Sequence, residues 1–319
     1  MTDHPDDNLL GPLPDEQDLP PGHKSGFVAV IGRPNVGKST LMNAILGEKI
    51  AIVTPKPQTT RLRQLGILTR PDVQMIFVDT PGIHQPRTAL GEFMVRVAVD
   101  ALRDSDVIVF VVDTSERPTD EDRRIVDLIR QAEGVTPVIL VLNKTDLVDA
   151  GTLAVNSEAH RALLPNADMM STVAKTGQGT ADVLQRLIDL LPTGPRYFPE
   201  DQLSDTAVRD IVAEMVREKA LLNLEQEVPH GIATQVEEFK PRTDHLTYIS
   251  VTIFVERDSH KAIVIGKNGQ MLKTISQQAR EEIEQFLGTR IYLELWVKVL
   301  KNWRRDENAL RRLGYRILK

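Results

Sequence analysis

The feature that most narrows the possible folds is the octapeptide Gly32-Arg33-Pro34-Asn35-Val36-Gly37-Lys38-Ser39. It follows a Val/Ile-rich apolar run at 27–31 and opens a helix-forming stretch. A glycine-rich turn from strand to helix is a cradle for polyphosphate. Its backbone, through Asn35, Val36, Gly37 and on to Thr40, can point successive N–H groups inward. The helix N-terminus adds partial positive charge. Lys38 is placed to reach the β- and γ-phosphates, and the Ser39 hydroxyl is an oxygen ligand for Mg2+.

The rest of the first half agrees with that start. Apolar runs at 73–78, 107–112 and 138–142 end at Asp79, Asp113 and Asn143. They are continuous and rich in Val and Ile, the pattern of strands buried on both faces. Helical patterns occupy 90–102, 120–131 and 181–191. Strand–helix alternation predicts an α/β fold, a doubly wound, mostly parallel sheet with helices on both faces. Ligands bind such sheets at the carboxyl ends of the strands, where the polar residues stand.

Two of those ends carry chemistry. Asp79-Thr80-Pro81-Gly82 reads as a turn on its own. After a phosphate loop it gains a second meaning, with Asp79 holding Mg2+ through water and the Gly82 N–H contacting a γ-phosphate. Asn143-Lys144-Thr145-Asp146 selects the base. The Asp146 carboxylate can accept two hydrogen bonds from the guanine ring N–H and amine, a pair adenine does not offer, and a buried acceptor left unpaired rejects the wrong ligand. Asn143 is placed to tether neighbouring loops, and Lys144 to lay its stem along the base. Between these motifs, 55–61 contains the hydroxyls a switch loop needs. Thr60 is the first choice for a Mg2+ ligand present only with γ-phosphate, and Thr59 the second.

The motifs in this order resemble those of GTPases, which implies GTP and GDP as ligands and Mg2+ as cofactor. In that family a Ser-Ala-Lys motif follows, its Ala N–H bonding the guanine oxygen. Here Ala174 and Lys175 match, Val173 departs, and Thr172 is a candidate substitute for the missing serine hydroxyl. Many GTPases carry a water-orienting Gln after the glycine of the Asp-x-x-Gly motif. Here Ile83 stands there and cannot hydrogen-bond water. Asn35 with an apolar residue at that place resembles the potassium-using GTPases, so Asn35 is a candidate ligand for K+ and potassium-stimulated hydrolysis is expected. Catalysis is assigned to Lys38, Thr60, Gly82 and Asn35. His84 is a weak candidate for a base, and Arg33 and Arg61 are not assigned as arginine fingers.

At 319 residues, two domains are expected. The alternation stops near Leu191, and Pro192, Gly194, Pro195 and Pro199 punctuate a linker. Residues 25–195 form the nucleotide domain and 196–319 a second one. Residues 1–24 are acidic and proline-rich and read as a disordered tail. They lack the basic start and apolar stretch of a signal peptide. No run of about 18 apolar residues suggests a membrane span. With no cysteine, disulfides and thiolate chemistry are excluded and a cytoplasmic location is the simplest expectation. The net charge of −6 hides an asymmetry, because 240–319 holds 16 Lys and Arg against 9 Asp and Glu, a surplus of 7. A basic segment on an acidic chain points to a polyanion-binding module or to a solvated charged surface.

The second half reads as a helix at 204–224, strands at 232–239 and 247–256 around a charged loop, a short apolar run at 262–265, a helix at 270–286, a strand at 291–298 and a final helix. The run ending at Ile265 reads as a strand joined to a helix through Gly266-Lys267-Asn268-Gly269. Gly-x-x-Gly with a basic residue inside resembles the clamp of a KH domain, an RNA-binding module. The element order is that of the α+β type II KH arrangement. Gly266, Lys267, Asn268, Gly269 and Lys273 are the candidate RNA contacts. Ile263 and Ile265 line either the groove or the core. Trp296 and Trp303 either stack on bases or are buried.

A P-loop GTPase followed by one KH domain resembles the bacterial Era family over 25–319. The resemblance rests on 32–40, Gln58 to Arg61, Asp79 to His84, Asn143 to Asp146, the Gly266 turn, and the ending Trp296 to Arg304 and Leu310 to Tyr315. It implies a monomeric ribosome-assembly GTPase that binds 16S ribosomal RNA near its 3′ end, acts on the 30S precursor, and is cytosolic with some peripheral association at the inner membrane. The alternatives are an RNA-binding scaffold with nucleotide-dependent conformation and negligible turnover, and a membrane-transport GTPase, against which the lack of spans argues.

Overall fold

The computed structural model describes residues 19–319 apart from 57, 84, 85, 87, 132–135, 244 and 316–319. Most of the expected tail, 1–18, lies outside the described residues, as does His84. Among the described residues no helix is long and apolar enough to cross a membrane.

In chain order the first half runs β1 (Lys24–Ile31), α1 (Lys38–Leu46), β2 (Gln64–Arg70), β3 (Val73–Asp79), α2 (Ala89–Arg103), β4 (Val107–Asp113), α3 (Asp120–Gln131), β5 (Val138–Asn143), α4 (Ala150–Arg161), β6 (Asp168–Ser171) and α5 (Thr180–Leu190). The strands form one sheet in the order β2-β3-β1-β4-β5-β6. Only β2 is antiparallel to its neighbour. β1 lies between β3 and β4, so the chain order reverses direction there and opens a crevice at its carboxyl end. β3 and β4 are buried along their whole length, as their unbroken apolar runs require. α3 shows how local sequence fixes a helix. Its first turn is acidic and its last carries Arg130, both of which complement the helix dipole. Thr119 and Asp122 cap it reciprocally, each side chain accepting from the other's backbone N–H.

The second half runs α6 (Val208–Asn223), β7 (Ala233–Thr243), β8 (Leu246–Val255), α7 (Asp258–Ile265), α8 (Gln270–Leu287), β9 (Arg290–Val299) and α9 (Glu307–Arg312). β7 pairs antiparallel with β8, and β8 parallel with β9. The order αββααβ is the one expected, with one correction. The segment before Gly266 is a helix, not a strand. Its four apolar residues are too few to settle the period, and of them only Val264 is fully buried. Odd-numbered residues of β8 and β9 pack on the helices, with Ile249, Val251 and Ile253 against Val264, Ile275 and Ile283. β2, β6 and α4 were not expected as elements, and β7 runs on to Thr243 through much of the expected loop.

The chain forms two compact units whose division differs from a single cut at 195. Ile52–Leu62 and His84–Val97 group with the C-terminal elements, and 196–205 with the first unit. Within the second unit, Leu90, Phe93 and Met94 of α2 are buried with Trp303, Leu310, Tyr315 and Phe254.

Candidate functional site

The phosphate loop leaves β1 in a conformation that only its own residues permit. Gly37 has φ 102°, and a Cβ there would lie 2.3 Å from the Asn143 Nδ2. Asn35 also sits in the left-handed region, at φ 64°, and its side chain is exposed. Val36 is buried beneath the turn. The Lys38 ammonium is buried and donates to the Arg33 carbonyl at 3.0 Å. Burial pulls its pKa down to about 8, against the attraction of Asp79. A buried cation beside a glycine cradle is a site that a polyphosphate completes, since the anion would restore the charge that burial disfavours. Arg33 does not share that cradle. It is drawn away to Glu116 and to Asp122, whose Oδ2 is 3.3 Å from Nε.

The oxygen ligands expected for Mg2+ are together. Ser39 Oγ donates to Asp79 Oδ2 at 2.6 Å, and Asp79 is fully buried at the end of β3. A hydroxyl and a carboxylate next to the phosphate cradle are the hard donors Mg2+ takes beside phosphates. Thr80 holds this strand end by donating to the Val30 carbonyl at 2.8 Å. Gly82 approaches the loop so closely that a Cβ would lie 2.7 Å from Pro34 N. The Ile83 N–H donates to the Gly32 carbonyl at 3.2 Å while its side chain enters the core. An isoleucine there is thus structural, as its apolar side chain suggests.

The base side is organised by Asn143. Its Nδ2 donates to the Val36 carbonyl at 2.8 Å, and its Oδ1 accepts from Thr172 Oγ1 at 3.1 Å and from Ala174 N–H at 3.0 Å. One buried amide therefore ties the phosphate loop, β5 and the 172–174 loop together. Thr172 thus puts a hydroxyl on Asn143 beside the place where the serine is missing, while Val173 turns inward. The Ala174 N–H, expected to meet guanine, is engaged with Asn143 in this structure. Thr145 Oγ1 lies 3.3 Å from the Thr172 carbonyl and brings the next turn alongside. Asp146 and Lys175 are exposed at the rim. Lys144, at φ 63°, donates to Asp113 Oδ2 at 2.6 Å. Burial raises the Asp113 pKa, but bonds from Lys144 and Ser115 outweigh it and hold the carboxylate below its usual range. Sequence reasoning missed Asp113. The available signal was its register, since Asp113 pairs with Asn143 at the ends of adjacent strands.

Thr59 and Thr60 belong to the second unit. The Thr59 hydroxyl is used locally, donating to the Lys56 carbonyl at 2.6 Å, and its own carbonyl accepts from Arg217. Thr60 is buried. Arg61 is no finger. It is buried, donates to the carbonyls of Ile232 and His230, and lies 5.5 Å from the Trp303 ring centroid. Burial lowers its pKa.

In the same unit the Gly266 turn has the shape expected of a clamp. Gly266 has φ 73°, and a Cβ would lie 2.7 Å from Met271 Cβ. Asn268 (φ 53°) and Gly269 (φ 74°) continue the left-handed turn into the start of α8. Lys267, Asn268 and Lys273 are exposed. Ile263 is 49% exposed, which suits a groove, whereas Ile265 packs against the core. Trp303 is fully buried and donates to the Gly231 carbonyl at 2.9 Å, but Trp296 is 53% exposed.

With this geometry in hand, comparison with known proteins is informative. A family model described as a 50S ribosome-binding GTPase matches residues 27–144, and one described as a KH domain matches 227–304. GTPase Era of Ruminiclostridium cellulolyticum is 48% identical over 294 residues, covering 92% of this chain and 98% of its own. GTPase Era of Caldanaerobacter subterraneus is 48% identical over 296 residues, covering 92% and 99%. Among solved structures, Era in complex with MgGDPNP and nucleotides 1506–1542 of 16S ribosomal RNA is similar at TM-score 0.88 and 40% identity, covering 92% of this chain and 100% of that one. Era of Aquifex aeolicus bound to GDP and AlF4− is similar at TM-score 0.87 and 40% identity, with the same coverage.

Proposed function

This chain belongs to the Era family of GTPases, and from that premise we propose that it is a GTP-hydrolysing switch controlling an RNA grip. Its substrate is GTP. Its RNA is small-subunit ribosomal RNA near the 3′ end, the partner named for the Era complex among its structural relatives. That RNA, nucleotides 1506–1542, is much longer than the about four nucleotides a Gly-x-x-Gly clamp holds. Action on the 30S precursor, a monomeric state, a cytoplasmic location and peripheral contact with the inner membrane rest on the family resemblance alone.

The observation that carries the reading is Asn143, whose one side chain locks the phosphate loop to the guanine loop. Lys38 and the loop backbone bind and orient the phosphates. Ser39 and Asp79 would hold Mg2+, with Thr60 added when γ-phosphate is present. The ion would supply charge neutralisation to the phosphates. Asp146 reads the base. With Ile83 in the core, the attacking water is oriented without a glutamine, and Asn35 is the proposed K+ ligand that helps. Support for Asn35 is its left-handed turn and exposed side chain at the mouth of the loop.

A single-turnover GTPase assay, with and without RNA carrying the small-subunit 3′ sequence, tests the proposal. RNA-accelerated turnover is expected, faster in K+ than in Na+, with the cation difference lost in Asn35→Ala. Equal rates in both cations would remove the potassium site. Ile83 also favours the second reading, a nucleotide-dependent scaffold, and turnover indistinguishable from background with RNA bound would establish it. Unchanged RNA affinity in Gly266→Asp/Gly269→Asp would remove the clamp.

A further inference from the structure

We propose that the Tyr248–Tyr292–Trp296 part of the C-terminal sheet, on the face that turns away from the Gly266 clamp, is a second RNA surface, a base-stacking platform. The proposal rests on the RNA-binding reading and deepens it.

Alternation along β8 and β9 assigns the two faces. Their odd-numbered residues pack on the helices, α7 included, whose end carries the clamp. Their even-numbered residues therefore face the other way, where Phe254 is covered by the Trp303 cluster and Ser250 and Thr252 are buried, while Tyr292 and Trp296 on β9 stay exposed. In register on that face stand Tyr248 with Tyr292, Ser250 with Glu294, and Thr252 with Trp296. Tyr248 and Tyr292 are stacked, with centroids 5.9 Å apart and planes at 19°. The Arg242 guanidinium lies over Tyr248 at 4.8 Å. Tyr292 is 60% exposed and Trp296 53%. The result is a row of planar groups, Arg242, Tyr248 and Tyr292, with the Trp296 ring four residues further along β9.

The chemistry of this face selects its occupant. Aromatic faces flanked by cations accept unpaired bases, because every base has a π-face and every nucleotide a phosphate. Lys240, Arg242, Arg290 and Lys298 edge the platform. Its carboxylates are largely engaged. Glu238 pairs with Lys240 at 2.8 Å, Glu237 accepts from Thr252 at 3.0 Å and lies 3.7 Å from Lys298, and Glu294 accepts from the Tyr248 hydroxyl, so Arg242 and Arg290 carry the positive charge of this face. Its exposed apolar surface is mostly aromatic, Tyr292 and Trp296 with Leu246 beside them, and it is the cations among these rings, rather than the rings themselves, that favour a nucleic acid over a protein. The same unit shows that an exposed tryptophan is not forced on the chain, since Trp303 is completely buried with its N–H bonded. An RNA longer than the clamp can thus continue as a single strand onto the platform.

The test uses the full-length protein and two single-stranded RNAs of small-subunit 3′ sequence, one of about five nucleotides that fills only the clamp, the other the full stretch corresponding to 1506–1542. Tyr292→Ala/Trp296→Ala should weaken long-RNA binding by roughly 5-fold or more, leave the short RNA unchanged, and leave the thermal midpoint within the range of surface substitutions. Tyr292→Phe/Trp296→Phe keeps the ring faces and should restore affinity. Long RNA should also quench Trp296 emission in the parent, a change absent in Trp296→Phe. Unchanged long-RNA affinity in the Ala pair overturns the platform, as does equal loss on both RNAs. Gly266→Asp/Gly269→Asp separates the two ideas. If it abolishes short-RNA binding while the Ala pair does nothing, the clamp stands and the platform falls. If it does nothing while the Ala pair weakens long-RNA binding, the platform stands and the clamp falls. Long RNA held tightly with no ring-dependent change would leave this face to a protein partner and overturn the proposal.

Discussion

Thr172→Val tests whether this hydroxyl replaces the serine that the guanine loop lacks. Asn143 Oδ1 accepts two bonds, from Thr172 Oγ1 at 3.1 Å and from Ala174 N–H at 3.0 Å. Valine keeps the shape and removes only the first donor, so Oδ1 retains one bond. The loss is then the net value of a buried hydrogen bond, about 1 kcal/mol, rather than a full desolvation penalty. For a domain of this size that lowers the thermal midpoint by about 2–4 °C. The same bond sets the loop that carries Ala174 and Lys175, so GDP affinity should fall about 5-fold. Asn143→Ala is harsher. It strips partners from the Val36 carbonyl, the Thr172 hydroxyl and the Ala174 N–H together, at about 1–3 kcal/mol for each buried group. In that background Thr172→Val should add almost nothing, because its hydroxyl has already lost its acceptor. Urea unfolding and titration with a fluorescent GDP measure both quantities. If Thr172→Val is silent in both, or its cost adds in full to that of Asn143→Ala, the hydroxyl does not support the loop.

Two further substitutions probe buried polar groups. His160 is fully buried with Nε2 3.2 Å from the Glu116 carbonyl, and burial lowers its pKa. Below the ordinary histidine value of about 6.5 the unfolded chain takes up a proton that the folded chain refuses. Stability should therefore fall as pH drops through that value, and level off below the folded pKa. His160→Gln should flatten the midpoint between pH 7.5 and 5.5, roughly one unit either side of the ordinary value, and an unchanged slope would remove His160 as the cause. Arg61→Met deprives the His230 and Ile232 carbonyls of their donor and removes the ring contact with Trp303. A loss of about 2–4 kcal/mol in denaturant unfolding is expected, and a loss under about 0.5 kcal/mol, the size of an ordinary surface change, would show that the pocket repacks.

The nucleotide site was largely legible because its chemistry lies in short contiguous motifs at strand ends. Asp79 and Ser39 meet as their spacing implied, and Asn143 tethers loops as its place after a buried strand implied. What escaped was set by register and by distant packing. Asp113 anchors Lys144 only because β4 and β5 end level with each other. β6, with four residues, is too short for a periodic signal, and its DMMS sequence does not look like a buried strand. α7 was misread because one buried residue in eight gives no helical period. The two tryptophans were indistinguishable in sequence. Trp303 follows a strand end and is enclosed by Leu90, Phe93 and Tyr315, partners far away in the chain, whereas Trp296 falls on the outward parity of β9.

The ending 303–315 acquires a physical reason from the way the second unit is built. Arg61 follows Thr60 directly and is held by the His230 and Ile232 carbonyls under Trp303. Arg217 holds the Thr59 carbonyl, and Glu218 accepts from the Val53 N–H at 2.8 Å. On the other segment Phe93 meets Tyr315 edge-on at 5.9 Å, and Tyr315 stacks on Trp303 at 5.8 Å. Both stretches that flank the γ-phosphate candidates Thr60 and Gly82 thus have their anchors among the elements that carry the clamp and the platform. The Arg61–Trp303–Tyr315–Phe93 stack begins one residue from Thr60 in the chain and is packed with Phe254 of the C-terminal sheet, so the segment that carries the proposed Mg2+ ligand folds with the RNA-binding elements of the second unit.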